Sequence, residues 1–381
     1  MELLVLGGGA QGSACAFDLA NSTDVEAVTV ADQNVDRPAS FLAPLLGDRL
    51  NLRRLDASDP RALGEAVRGF DVVVCALPYH FNLQAARAAV EAGAHFCDLG
   101  GNTEIVRRQQ ELDAEARSAG ISVVPDCGLA PGMVNILARG GIDALEDVAS
   151  VRIYVGGLPR IPHPPLNYRV AYSLEGVLDY YTTPVLKLEE GRVVEREPMT
   201  EVERVDFGAP LGELEAFLTA GGISTMPYDY EGRVASMTYK TLRYPGHADL
   251  MKAIRDLGLL SDEPIAFDGC RVSPREMFIR AVGPSLEDPD AEDLVALRVV
   301  VAGRGAKGAR EIRYDLLDVA DMRHGISAMM RTTGYSLAAV ARLQGTGRIP
   351  PGVHTPAECV PLEAYLTELA ARDIHVRQTV T

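Results

Sequence analysis

Leu3-Leu4-Val5-Leu6-Gly7-Gly8-Gly9-Ala10-Gln11-Gly12 is the stretch whose reading decides the fold. A short apolar run of strand length meets a G-x-G-x-x-G spacing, and a helical pattern follows through Leu19. Gly7 permits a tight turn, Gly9 lets backbone approach a pyrophosphate, and Gly12 lets the helix lie close to the strand. Ala10 and Gln11 then sit in the first helical turn, whose free N–H groups attract phosphate charge. Asp32 stands twenty positions after Gly12, at the tip of the next apolar run. A carboxylate there accepts hydrogen bonds from a ribose diol and repels a 2′-phosphate. Gln33 and Asn34 offer no cation and Arg37 is several residues away, so the pattern selects NAD over NADP.

Outward from this motif, apolar runs predict strands over 2–6, 25–31, 51–55, 71–76, 95–98 and 121–125, with helices over 82–92 and 103–118 among those between them. Continuous apolar runs such as Val72-Val73-Val74-Cys75-Ala76 suit a sheet covered on both faces. Ala76, Leu77 and Pro78 close the fourth strand on the nicotinamide side. Asp56, after the third strand, either flanks the adenine or forms a turn with Ser58.

The texture changes near residue 128. A helix to about 144 leads into β-like segments over 151–155, 167–173, 191–206, 233–242, 294–303 and 311–318. The last two are joined by a glycine-rich hairpin turn over 303–308. Helices are expected over 247–259, 274–281, 334–344 and 361–372, with an extended piece at 374–377. The fold class is therefore α/β: a Rossmann doubly wound parallel sheet, with a second α+β domain carrying a mixed sheet. The domains divide as 1–127 for the dinucleotide, 128–330 for substrate and oligomerisation, and 331–381 as C-terminal helices and tail returning to the first domain.

The 381 residues carry 53 acidic against 37 basic side chains, a formal charge of -16. Such a surface repels nucleic-acid backbones and anionic membranes, so neither is an expected partner. Six scattered cysteines show neither disulfide nor metal spacing, no metal is expected, and the protein reads as cytoplasmic.

Several separated motifs, in order, carry a family resemblance. Besides the glycine motif they are Leu77-Pro78-Tyr79, Asp98-Leu99-Gly100-Gly101, the run from Pro125 to Gly132, Gly156-Gly157-Leu158-Pro159, and Thr241-Leu242-Arg243-Tyr244-Pro245-Gly246. Together they resemble the saccharopine dehydrogenase-like oxidoreductases, most nearly the members that deaminate the lysine side chain. The resemblance implies NAD-dependent oxidation at the carbon bearing a primary amine, a small amino-acid substrate, and a homodimer or homotetramer. Glu175 stands where the saccharopine-forming members carry an arginine, which removes a clamp for one of saccharopine's carboxylates. Two alternatives stand beside this: a reductase for saccharopine or a carboxy-polyamine, and a non-catalytic NAD sensor.

Oxidising an amine requires that its ammonium first lose a proton. Asp98, at the end of the fifth strand, is the first candidate base, with loop capping as its alternative. His80 is the second, with a plain loop role as its alternative. Arg169 and Arg243 are candidate anchors for a substrate carboxylate. Tyr79, Asn167, Tyr168 and His247 are candidates to orient substrate, and the resemblance places Cys127 beside the same site without a nucleophilic role.

Overall fold

The computed structural model describes residues 1–170, 173–287, 292–306 and 308–381. Strands β1 (Glu2–Leu6), β2 (Ala27–Asp32), β3 (Leu50–Arg54), β4 (Val72–Cys75), β5 (His95–Asp98) and β6 (Ser122–Val124) form a parallel sheet. Their spatial order is 3-2-1-4-5-6, with the chain reversing direction of travel between β1 and β4. That is the doubly wound arrangement expected, and the reversal opens a crevice at the strands' carboxyl ends. Alternate residues of β1 feed two cores. Leu3 and Val5 pack with Cys15 and Leu19 of helix α1 (Ala10–Ala20), whereas Leu4 and Leu6 pack with Leu63, Ala85 and Ala89. The expected helix over 103–118 is two helices, Thr103–Gln110 and Asp113–Ala119.

The helix Met133–Asp143 leads into a nine-stranded mixed sheet. Its strands are β7 (Asp147–Pro159), β8 (Val185–Glu189), β9 (Arg192–Arg196), β10 (Glu203–Asp206), β11 (Glu213–Leu218), β12 (Val234–Arg243), β15 (Asp293–Gly305), β16 (Gly308–Val319) and β18 (Arg377–Val380); a separate hairpin joins β13 (Ile265–Phe267) to β14 (Cys270–Val272), and β17 (Gly352–Val353) adds to the first sheet beside β6. Pairing of Gly305 with Gly308 bears out the hairpin, although Lys307 of that turn lies outside the described residues. Two β expectations need correction. The segment expected over 167–173 starts on Asn167 at a φ of 49°, a turn rather than a strand. Its residues 171–172 lie outside the described residues. Ser173 then caps the helix Leu174–Thr182 by accepting from the Gly176 N–H, a local bond that favours a helix start over an extended chain. The run expected over 191–206 breaks into β9 and β10, with Met199 and Glu201 at positive φ between them. β8 and β11 carry no clean alternation and were not anticipated.

The C-terminal segment touches both sheets. Helix Ser336–Gly345 lays Leu337, Val340 and Leu343 into the β1–β4 core, and Gln344 Nε2 donates to the carbonyls of Phe96 and Ser122. The tail does not return to the first sheet as expected; β18 pairs with β16, whose outer edge otherwise presents unpaired N–H and C=O groups. Among the described residues no helix is long and apolar enough to cross a membrane.

An ion-pair network fastens the end of the chain to α1. Arg372 reaches Asp18 at 2.7 Å and Glu368 at 2.8 Å, with the Arg372 and Asp18 side chains only 6% and 10% exposed. Burial raises the Asp18 pKa and Arg372 opposes that shift. Arg372→Ala, which strands a buried carboxylate, is expected to cost about 3–5 kcal/mol in urea denaturation. A loss below about 1 kcal/mol, the range of exposed pairs, would show the network to be solvent-screened.

Candidate active site

The glycine motif folds as its spacing requires. Gly7 has a φ of 98°, and a Cβ there would meet the Ala76 carbonyl oxygen at 2.8 Å, at the point where β1 and β4 end side by side. A Cβ on Gly12 would lie 1.9 Å from the Gly7 carbonyl oxygen, so only glycine lets α1 start this close to the strand. Gly9 differs: among the described residues, nothing beyond its own chain neighbours lies within 4 Å of its would-be Cβ. Packing leaves that face open, as a backbone-lined cradle for a dinucleotide requires. Gln11 Oε1 is buried without a hydrogen-bond partner among the described residues, an orphaned acceptor beside the same loop. The residues present therefore fit a nicotinamide dinucleotide, which Gly7, Gly9, Ala10, Gln11 and Gly12 would hold, with Ala76, Leu77 and Pro78 continuing the wall.

Asp32 accepts from the Gly8 N–H at 2.7 Å and from the Asn34 N–H at 2.8 Å, which places its carboxylate against the loop. The linear reading found no cation nearby; the sheet supplies one. Arg54 is the cross-strand neighbour of Asp32, donating to the Gln33 carbonyl at 2.7 Å and gripping both oxygens of Asp36 at 2.9 Å. Asp56 takes the turn alternative, accepting from Ser58 N–H and hydroxyl and from Gln33 Nε2, bonds that lower its pKa.

A cavity of about 280 Å³ lies where the first sheet's loops face the second sheet. Gln11, Tyr79, Leu99, Gly100 and Gly101 line one side; Tyr168, Tyr180, Tyr181, Tyr239 and Arg243 line the other. Among the described residues that line it, Arg243 alone carries a charge. Its guanidinium stacks 4.5 Å from the Tyr168 ring centroid, and its Nε donates to Tyr181 Oη at 3.2 Å. Tyr181 donates onward to His247 Nε2 at 3.0 Å, while His247 Nδ1–H donates to the Leu166 carbonyl at 2.9 Å. Burial, reinforced by the adjacent Arg243, pushes the His247 pKa down to about 3, so the ring stays neutral and keeps this donor order.

The structure thus brings Gln11, Tyr79, Tyr168 and Arg243 to one cavity and puts His247 directly behind Tyr181. Other sequence candidates lie elsewhere. Asp98 is fully buried, accepting from Gly100 N–H, Asp126 N–H and Gln109 Nε2, and it does not line the cavity. Burial outweighs those bonds and pushes its pKa up to about 6; its geometry is that of a loop bracket. His80 is exposed, rests on the Phe81 ring and faces a different depression beside Leu83 and Gln84. Cys127 is buried with its thiol toward the Val124 carbonyl, and burial raises its pKa well up. Arg169 donates to the Ser285 carbonyl, and Asn167 lies 3.5 Å from the Pro245 carbonyl; neither lines the cavity. Sequence reading missed Tyr180 and Tyr181 of the helix Leu174–Thr182, Tyr239 of β12, Met329 of the short helix Ala328–Met330, and Thr333 of the π-turn Arg331–Tyr335 that follows it. Only the Tyr180-Tyr181 doublet leaves a visible trace in the sequence.

Two family models match the chain end to end. The saccharopine dehydrogenase NADP binding domain covers residues 3–124, and the saccharopine dehydrogenase C-terminal domain covers residues 128–374. The chain belongs to the saccharopine dehydrogenase family. The expectations of that family and of an NAD(P)-dependent oxidoreductase are borne out by this membership. Similar proteins include saccharopine dehydrogenase [NADP(+), L-glutamate-forming] of Saccharomyces cerevisiae, 25% identical over 314 residues, or 77% of this chain and 69% of that one. Mitochondrial alpha-aminoadipic semialdehyde synthase of Mus musculus is 29% identical over 211 residues, 53% of this chain but 22% of that longer protein. Among solved structures, apo saccharopine dehydrogenase (L-Glu forming) from Saccharomyces cerevisiae superposes with a TM-score of 0.82 at 22% identity, covering 100% and 99% of the two chains. Homospermidine synthase from Legionella pneumophila in complex with NAD gives 0.69 at 11% identity, covering 100% and 91%. At these identities the superpositions show a shared fold.

The glycine geometry separates two variants of this family member. Gly12→Ala forces a backbone carbonyl aside and is expected to lower stability by about 1–3 kcal/mol in thermal denaturation. Gly9→Ala is expected to leave the melting temperature near that of the parent and to weaken dinucleotide binding about tenfold or more, read by calorimetry. Equal dinucleotide affinity in Gly9→Ala and parent would show that the open face holds no cofactor.

Proposed function

We propose that the protein is an NAD-dependent oxidoreductase that oxidises the side-chain amine of L-lysine or a closely similar amino acid. A bound nicotinamide supplies the hydride acceptor. Loss of hydride from the amine-bearing carbon leaves an imine, which water converts to 2-aminoadipate 6-semialdehyde and ammonia; the semialdehyde then cyclises to piperideine-6-carboxylate. The observation that carries this reading is the charge inventory of the cavity. Arg243 is the one charged group among its described lining residues, enough for one carboxylate held in a fork geometry. Saccharopine brings three. The tyrosine walls give a slender alkylamine apolar surface with polar tips, and Tyr181, locked between Arg243 and His247, holds the guanidinium in place.

NAD is preferred because the Asp32 carboxylate faces the loop where the ribose belongs, while the Arg54 charge is already matched by Asp36 through two hydrogen bonds. The relatives' names favour the second reading, an NADP-dependent enzyme of saccharopine or another secondary amine, and Arg54 supports it by its position.

Purified protein offered lysine, saccharopine and polyamines, each with NAD and with NADP, is expected to generate reduced nicotinamide fastest with lysine and NAD at alkaline pH. Consumption of reduced cofactor with an aldehyde plus glutamate, and none formed with lysine, would hand the case to the second reading. Arg243→Gln is expected to raise KM for lysine at least about tenfold and to leave KM for cadaverine, which lacks the carboxylate, within about twofold. Equal effects on both amines would remove Arg243 as the carboxylate anchor.

A further inference from the structure

Asp126 follows β6 at the carboxyl edge of the first sheet, where a doubly wound fold presents its ligands. It is only 2% exposed, it adopts a φ of 63°, and its Oδ1 has no hydrogen-bond partner among the described residues. A non-glycine residue held in the left-handed region costs free energy, and so does an orphaned buried carboxylate oxygen. Oδ1 fills the space a Gly100 side chain would need: a Cβ on Gly100 would lie 1.9 Å from it. Gly100 is itself part of the cavity wall, and Asp126, like Asp98 not itself a lining residue, stands directly behind that wall; the two acids differ in that both Asp98 oxygens accept hydrogen bonds, whereas Asp126 Oδ1 accepts none among the described residues.

Among the described residues, the groups that act on Asp126 from neighbouring elements include no cation. Asp98 at the end of β5 and Asp229 of the helix Met226–Asp229 are both acids. Tyr180, which lines the cavity, is a phenol whose pKa is raised by burial first, then by Asp179 and Asp126, and burial lifts the adjacent Cys127 thiol. Ser224, also at positive φ, turns its hydroxyl toward Asp126 without reaching good hydrogen-bond geometry and has no other partner among the described residues. Burial is the larger effect and pushes the Asp126 carboxyl up to about 7 against the opposing Ser224 hydroxyl, which poises it between charged and neutral forms near neutrality. A buried carboxylate among other acids is stabilised by a cation brought from outside.

We propose that Asp126, rather than Asp98 or His80, receives the ammonium end of the substrate and takes its proton. The inference rests on the amine-oxidising reading above. The step balances: one N–H bond of R–CH2–NH3+ breaks, the proton joins the Asp126 carboxylate, and the freed nitrogen lone pair forms the C=N bond as hydride leaves the adjacent carbon for the oxidised nicotinamide. Arg243 and Asp126 then hold opposite ends of one substrate, the carboxylate by a guanidinium and the amine by a carboxylate.

The test compares parent and Asp126→Asn with lysine as the probe. Calorimetry of lysine binding to protein loaded with reduced cofactor is expected to show affinity lower by at least about tenfold in the variant, with affinity for the cofactor itself within about twofold. The acidic limb of kcat/KM for lysine, set near neutrality in the parent, is expected to disappear. Ser224→Ala, a gentler change, is expected to move that limb to higher pH, which a merely structural serine would not do. Unchanged lysine affinity and an unchanged limb in Asp126→Asn overturn the proposal. If Asp126→Asn fails to fold, an unmoved limb in Ser224→Ala overturns it. Parent protein that oxidises saccharopine but not lysine overturns the substrate reading alone, and the same two measurements on saccharopine then decide Asp126. Parent protein that oxidises neither amine overturns both.

Discussion

The closeness with which α1 begins on the ends of β1 and β4 is the constraint on which the rest of the structure depends. Gly12 leaves no room for a side chain against the Gly7 carbonyl, and Gly7 leaves none against Ala76. From the other side Gly334 presses on the same turn: a Cβ there would lie 2.8 Å from the Gln11 carbonyl oxygen and 2.9 Å from the Ala14 side chain. Gly334 belongs to the π-turn that carries Thr333 into the cavity. A single close contact thus sets the helix N-terminus that attracts phosphate, the Gln11 side chain, and part of the cavity's far wall.

Charge in the cavity is sparse and ordered. Arg243 is oriented by a chain of donors that ends on a backbone carbonyl, and each link depends on the next being in one protonation state. His247 stays neutral because it is buried beside a guanidinium; a charged ring would have no lone pair for the Tyr181 hydroxyl. Asp98 orders the opposite side from behind the wall. Its carboxylate holds Gly100, Asp126 and Gln109 together, which shapes the loop that the cavity needs and places Asp126 where it stands.

Much of the first sheet was legible because its signals are local. β1 and β5 fall on the residues where continuous apolar runs put them, as does the helix Asn82–Ala92, and the glycine motif carries its own steric reasons. The second sheet was harder. The break within 191–206 comes from left-handed residues at Met199 and Glu201, types with no preference for that conformation. The helix after Ser173 was hidden behind Tyr and Val residues that favour strands, although the serine cap was present in the sequence.

By itself the sequence determined the dinucleotide fold and the family, since these follow from glycine positions and ordered motifs at fixed separations along the chain. Tertiary structure alone decided which charges meet. Arg54 comes beside Asp32 through strand pairing, His247 joins Tyr181 and Arg243 through helix packing, and Asp98 is closed off while Asp126 is left with an unpartnered oxygen. The reason is physical: steric rules act between near neighbours in the chain, whereas desolvation and Coulomb interactions depend on distances in space that only the packed fold sets.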